Sequence, residues 1–281
     1  MKHRQRNSLI FRSVLIVFFI FVTILVFFPL YFVIVTSLKS YAEYIRNPVG
    51  IDVTQASLAN YAEVLSSTNM LRAFLNSTIL TLISVACSVV FSAIGAFAVV
   101  VIDYRGSKIF YFLSVMTMFF TGELTYIPLY LAYSYFGLLN SYWVLLIPCF
   151  IGFPSLGIML GCNYLGSTPK EIQEAALVDG AGYWTMFTRI FFPMMRPVIA
   201  LIAVMSFQSA WSEFFWPMIT TLGNPDVQTL PLLILAFNSA DSSLFGQYCA
   251  GLALMTLPMI VVYIFCSKYF IQGMTAGSVK L

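Results

Sequence analysis

Two groups of polar side chains in this sequence have the types and spacing to hold a ligand. Glu123, Tyr126 and Tyr130 stand at i, i+3 and i+7, and Gln208, Ser209, Ser212 and Glu213 follow within a short stretch. At about 100° per residue, a helix places each group on one side. Ser206 joins the second group, while Phe207, Ala210, Trp211 and Phe214 lie opposite. Carboxylates, an amide and hydroxyls beside aromatic rings can receive a hydroxyl-rich solute such as a sugar. The competing reading is that they pair only with neighbouring helices. Catalysis is not indicated. The single histidine is His3, and no nucleophile–base pair or metal-ligand cluster is visible. Cys87, Cys149, Cys162, Cys249 and Cys266 show no C-x-x-C spacing and read as small apolar packing residues. No G-x-x-x-x-G-K-[ST] occurs, so ATP hydrolysis of the Walker type must come from another chain.

A third group could transmit force. Thr168, Pro169 and Glu171 read as a helix start, with Thr168 capping and Glu171 completing a capping box. The predicted helix carries Glu174, Ala175 and Ala176 and ends at Asp179 and Gly180, because glycine accepts the left-handed turn that closes a helix. A second short helix, about 182–191, carries Tyr183, Trp184, Phe187 and Ile190, and Pro193 and Pro197 follow. The paired alanines allow close approach to another surface. The result is a rigid lever rather than a loose connector.

The elements that position these groups are membrane spans. Hydrophobic residues make up 60% of the 281 positions and charged residues 9%, against roughly 25% charged in soluble proteins. Six apolar stretches reach the roughly 20 residues a span needs: 14–36, 76–102, 109–131, 141–163, 198–219 and 247–271. The first is too long for a signal-peptide core and reads as retained. Pro29, Pro128, Pro148, Pro154, Pro217 and Pro258 interrupt five of the six. Orientation follows from Lys and Arg placement. With the N-terminus inside, the outside keeps only Lys39, Arg46 and Arg72, and the 164–197 loop is cytoplasmic. Outside segments are 37–75, expected as a small ordered cap or surface helix, 132–140, and 220–246 with a turn at Gly223 to Asp226. Ser84, Ser88, Ser92 and Ala96 form a small-residue stripe, and Gly157 and Gly161 a second, both suited to close helix packing. There is no basic block of the kind that binds nucleic acid. The chain reads as a cytoplasmic N-terminus (1–13), one transmembrane domain (14–271) and a cytoplasmic tail (272–281).

The segment from Glu174 to Pro193, with its E-A-A, Gly180 and Ile190-x-x-Pro193 pattern, resembles the cytoplasmic loop of ABC importer permeases. Leu58-Ala-Asn60-Tyr61, Leu75-Asn76-Ser77, Ile127-Pro128-Leu129-Tyr130, Trp211-Ser-Glu213-Phe214 and the tail from Gly273 to Lys280 resemble blocks of the carbohydrate-type, maltose-like permeases. The resemblance implies an all-α, six-helix type I importer permease fold with a cytoplasmic coupling helix. It implies that Glu174, Ala175, Ala176, Asp179, Gly180, Ala181, Ile190 and Pro193 couple to an ATPase, and that Gly273, Thr275, Gly277 and Lys280 reach it. It implies a second homologous permease, two ATP-binding subunits that hold ATP and Mg, and an extracytoplasmic solute-binding protein. The chain itself holds no cofactor. The implied location is a bacterial or archaeal cell membrane, with both termini cytoplasmic. The expected cargo is a sugar or oligosaccharide. The alternatives are an ABC permease for a polyol or glycerol phosphate, and a secondary transporter, which would be expected to carry paired broken helices in two halves.

Overall fold

The computed structural model describes residues 2–50, 52, 54–120, 122–151, 154–238 and 242–276. They form helices in the order α1 (Lys2–Ser37), α2 (Tyr41–Arg46), α3 (Ala59–Ser66), α4 (Met70–Phe97), α5 (Ser107–Thr117), α6 (Gly122–Tyr135), α7 (Tyr142–Ile151), α8 (Ser155–Gly166), α9 (Glu171–Val178), α10 (Tyr183–Met186), α11 (Phe192–Met194), α12 (Arg196–Ser212), α13 (Phe215–Thr221), α14 (Leu230–Ala236) and α15 (Phe245–Ala276). Wider π turns, Ala98–Ile102 and Phe187–Phe191, extend α4 and α10. Among the described residues, four helical stretches are long and apolar enough to cross a membrane: Val14–Ser37, Met70–Ile102, Tyr142–Gly166 and Phe245–Cys266. A fifth is counted if Tyr183–Met194 and Arg196–Ser212, bent by 76°, are one span. The stretch expected to cross at 109–131 is divided between α5 and α6, and that expected at 198–219 between α12 and α13.

The breaks seldom fall at the prolines expected to cause them. Pro29, Pro128, Pro148 and Pro258 lie inside continuous helices. Pro217 sits in the first turn of α13, where a missing N–H forfeits no intrahelical bond. Only Pro154 stands directly at a helix start.

The chain forms two compact units, Met1–Met70 with Ile234–Thr256, and Leu71–Leu233 with Leu257–Leu281. In the first, the expected cap is α2 and α3. Asn60 closes the end of α1, its amide donating to the carbonyls of Ser37 (2.9 Å) and Lys39 (2.8 Å). Tyr61 shares a 2.7 Å hydrogen bond with the Ser37 hydroxyl. The two Asn60 bonds satisfy carbonyls at and just beyond the helix end, where intrahelical partners run out. Lys39 is buried, with its ammonium donating to the carbonyls of Asn47 and Pro48.

In the second unit, Asn76 ties α4 to a segment far along the chain. Its amide donates to the carbonyls of Asp226 (3.0 Å) and Gln228 (2.9 Å). The Tyr142 hydroxyl lies 3.1 Å from Asn76 Oδ1 and 3.0 Å from the Asp226 carbonyl. Ser77 accepts from the Leu230 amide at 2.8 Å, and Arg72 pairs with Asp226. The expected turn is present, with Asn224 capping Pro225–Val227 by accepting from the Asp226 amide. Deeper in this unit, the two small-residue stripes meet. A Cβ at Gly161 would lie 2.7 Å from the Ala96 Cβ, and one at Gly157 would lie 2.9 Å from the Ser92 Cβ. Helix packing this close requires glycine on one side.

Candidate functional site

The first site is the 164–197 loop. Helix α9 starts later than expected. Lys170 is its N-cap residue and makes no side-chain capping bond. The Thr168 hydroxyl instead donates back to the Tyr164 carbonyl at 3.3 Å. The Tyr164 carbonyl, which also accepts from the Ser167 amide and hydroxyl, lies one turn back at the end of the preceding helix, and it outcompetes the forward cap. The other end forms as expected. Gly180 has φ +74°, its amide donates to the Leu177 carbonyl, and the Ala181 amide donates to the Ala176 carbonyl, both at 3.0 Å. This pair of bonds is a Schellman closure, which fixes the reversal between α9 and α10.

The loop is two-faced. Ala176, Met186, Phe187 and Phe191 are buried in one apolar cluster with Phe97, Ile158, Leu165 and Met195, and Ala181 and Ile190 pack against it. The paired alanines therefore divide: Ala176 faces this chain's own core and Ala175 faces outward. Glu174, Asp179 and Gly180 are exposed, as are Leu177, Val178 (87%), Tyr183 and Trp184 (73%). Pro193 is half-buried. A face of this type, apolar with an acidic margin and held on a packed base, suits docking rather than chemistry.

Sequence reasoning missed one residue of this loop. The Gln173 side chain donates to the Val101 carbonyl at 2.7 Å. That carbonyl lies in the π turn closing α4, so Gln173 ties α9 to the far end of a long helix. No sequence pattern marks a π turn. Gln173→Leu is expected to cost about 1–2 kcal/mol by stranding that carbonyl. Limited proteolysis within 168–193 should then run roughly fivefold to thirtyfold faster.

The second site is built around a helix break. Helix α12 ends at Ser212, and Glu213 is extended, with φ −68° and ψ 117°. Its Oε1 accepts from the Trp216 amide at 3.0 Å. Glu213 is thus not on the polar face of a continuous helix, as a spacing of about 100° per residue across 206–213 predicts. A break exposes amides at the start of the next helix, and the carboxylate satisfies one of them. Trp216 is buried, its indole donates to the Val144 carbonyl at 3.0 Å, and its ring meets those of Tyr126 and Tyr133. Tyr126 also stacks on Phe215, with centroids 5.4 Å apart.

Three cavities meet at Ser209. One of about 500 Å³ brings Tyr126 together with Ser209, Ser212 and Glu213. One of about 210 Å³ lies between Ser209, Glu213 and Trp216. One of about 480 Å³ is lined by Ser84, Ser88, Ser155, Ser206 and Ser209. Of the residues expected along a pathway, Tyr126, Ser209, Ser212 and Glu213 are brought together. Gln208 is exposed and lines none of the three, and Tyr130 packs against the cluster around Trp216. Ser84 and Ser88, expected only as packing residues, line the cavity, whereas Ser92 and Ala96 of the same stripe are buried against α8. Gly277 and Lys280 lie outside the described residues, as do the side chains of Glu123 and Thr275 and the surroundings of Gly273. The described residues contain no cluster of metal-ligating side chains.

Comparison with known proteins accounts for this architecture. Over its full length the chain is similar to the arabinooligosaccharides transport system permease protein AraQ of Halalkalibacterium halodurans, 26% identical over 99% of each chain. It is also similar to the melibiose/raffinose/stachyose import permease protein MelC of Bacillus subtilis, 28% identical over 90% of this chain and 91% of the other. Its fold matches the crystal structure of a bacterial ABC transporter involved in the import of the acidic polysaccharide alginate. There the TM-score is 0.82 at 24% identity, covering 94% of this chain and 98% of the matched one. Residues 69–276 match the family model described as binding-protein-dependent transport system inner membrane component, and the chain is a member of that family, a membrane transport subunit rather than an enzyme.

Proposed function

We propose that this chain is one of two different permease subunits of an ATP-driven importer for a sugar or oligosaccharide. The observation that carries the reading is the cavity system at Ser209, where Tyr126, Ser209, Ser212 and Glu213 gather hydroxyls and a carboxylate beside aromatic rings. The relatives that transport arabinooligosaccharides and melibiose, raffinose or stachyose support this cargo class. A binding protein delivers the sugar at the outer face. Both termini and the 164–197 loop lie in the cytoplasm, and the exposed face of α9 and α10 docks on one of two ATP-binding subunits, which hold the ATP and Mg.

The mechanism follows from the two-faced loop. Movement of the ATP-binding subunits pushes Glu174, Ala175, Asp179 and Gly180. Ala176, Phe187, Phe191 and Ile190 pass that movement into the core beside Phe97 and Met195. Reversing a 1:99 population to 99:1 needs roughly 5.5 kcal/mol of differential binding. A loop that yielded would absorb that bias, so the Schellman closure and the Gln173 tie are mechanically required. The tail from Gly273 to Lys280, with Thr275 and Gly277, adds a second contact to the ATP-binding pair.

The test is Glu213→Ala in the assembled importer. Loss of the cap costs about 1 kcal/mol, and loss of the carboxylate removes a solute contact. Uptake is expected to fall roughly tenfold, as 1.4 kcal/mol implies, with normal assembly. Wild-type uptake by a correctly assembled variant would remove Glu213 from the pathway.

A further inference from the structure

We infer that the cavity of about 210 Å³ between α4, α7, α12 and α13 is a subsite in this chain for a single uncharged sugar ring. The inference rests on the sugar-importer reading above. Its wall includes Ser84, Cys149, Ser209, Glu213, Trp216 and Thr229.

Three observations lead to this ligand. Thr229 is 4% exposed, and its hydroxyl has no hydrogen-bond partner in the protein. A buried polar group without a partner is costly, and Thr229 borders the cavity. A ligand hydroxyl would satisfy it. Glu213 supplies a second contact. One carboxylate oxygen accepts from the Trp216 amide, and the other remains to accept from a ligand. The Trp216 ring is fixed by its bond to Val144 and offers an immobile aromatic wall.

Charge and size narrow the ligand further. Among the described residues, Glu213 is the only charged side chain lining this cavity or the two that share Ser209 with it, and no described lysine or arginine lines any of the three. A like charge brought beside a carboxylate in a partly desolvated site is strongly disfavoured. Acidic sugars are therefore excluded, and hydroxyl donors are favoured. The volume is below the roughly 300–1,000 Å³ of ordinary ligand pockets, so it accepts one ring. Further rings extend into the adjoining cavity of about 480 Å³, which shares Ser84 and Ser209.

Cys149 provides the test, because its thiol lines the same cavity. The assembled importer is treated with methanethiosulfonate reagents of similar size, one cationic and one anionic, and labelling of Cys149 is followed by peptide mass spectrometry. Cys149→Ser provides the blank. With each rate divided by that reagent's rate with a free thiol in solution, the cationic reagent is expected to label Cys149 several-fold faster than the anionic one, and Glu213→Gln should bring the two normalised rates together. A neutral oligosaccharide should protect Cys149 and the corresponding uronic-acid oligomer should not. Thr229→Val should weaken that protection several-fold. Equal or faster labelling by the anionic reagent, no labelling by either, or protection by the acidic oligomer alone overturns the subsite. If ATP-driven uptake of neutral oligosaccharide persists in that case, the importer reading survives. If the charge preference holds but the importer carries no oligosaccharide, the sugar reading itself fails, and the subsite with it.

Discussion

Gly180→Pro is expected to reduce ATP-driven uptake to background while the chain still inserts and folds. Gly180 has φ +74°, whereas proline is fixed near −65°. The substitution also removes the amide that donates to the Leu177 carbonyl, and it displaces the Ala181 amide from Ala176. The reversal between α9 and α10 is lost, but the cluster around Phe97 is not directly touched. Gly180→Ala separates geometry from space. A Cβ there meets nothing within 4 Å, so only the left-handed backbone penalty of about 1–2 kcal/mol applies. Uptake by the alanine variant should fall several-fold and that by the proline variant to background, both measured in proteoliposomes against equal amounts of inserted protein. Glu174→Lys reverses the charge on the exposed margin of the same face and should uncouple transport without loosening the loop. Unchanged uptake by the Gly180→Pro and Glu174→Lys variants would argue against docking through α9.

Gly157→Leu is expected to prevent the second unit from folding. A Cβ at this position already lies 2.9 Å from the Ser92 Cβ and 3.4 Å from Ile202 Cγ2. The obstruction on the Ser92 side is the base of a short side chain, which cannot swing aside. Overpacking of this kind costs about 1–3 kcal/mol, and more where the backbone must shift. Gly166→Ala is the matched control, because it lies in the same helix and a Cβ there meets nothing within 4 Å. Thermal unfolding in detergent should show Gly166→Ala close to wild type and Gly157→Leu largely lost from the folded fraction. A folded, wild-type-like Gly157→Leu protein would mean that α4 and α8 are not in close contact.

The apolar stretches and the Gly180 turn were legible in the sequence because each depends on local composition or on a single backbone requirement. The break at Glu213 was not. Ser212, Glu213, Phe214 and Phe215 contain neither proline nor glycine, and hydropathy averages across them. Helical periodicity therefore puts Glu213 on a helix face, where the structure makes it a cap for the Trp216 amide. The serine stripe had a correct spacing but two roles. Ser92 packs against Gly157, whereas Ser84 and Ser88, two turns and one turn earlier, border a cavity. The block at Asn76 was recognised as a pattern, but its partners, Asp226 and Gln228, lie 150 or more residues away. Gln173 was invisible because its acceptor belongs to a π turn.

Coupled transport depends most on the docking of the 168–193 loop on an ATP-binding subunit. Val178, 87% exposed at the end of α9, is the position at which to place a photo-activated cross-linking residue in native membranes. A major adduct with an ATP-binding protein is expected, with a yield that changes when ATP is added. Adducts with lipid alone, from a chain that still transports solute, would contradict that docking.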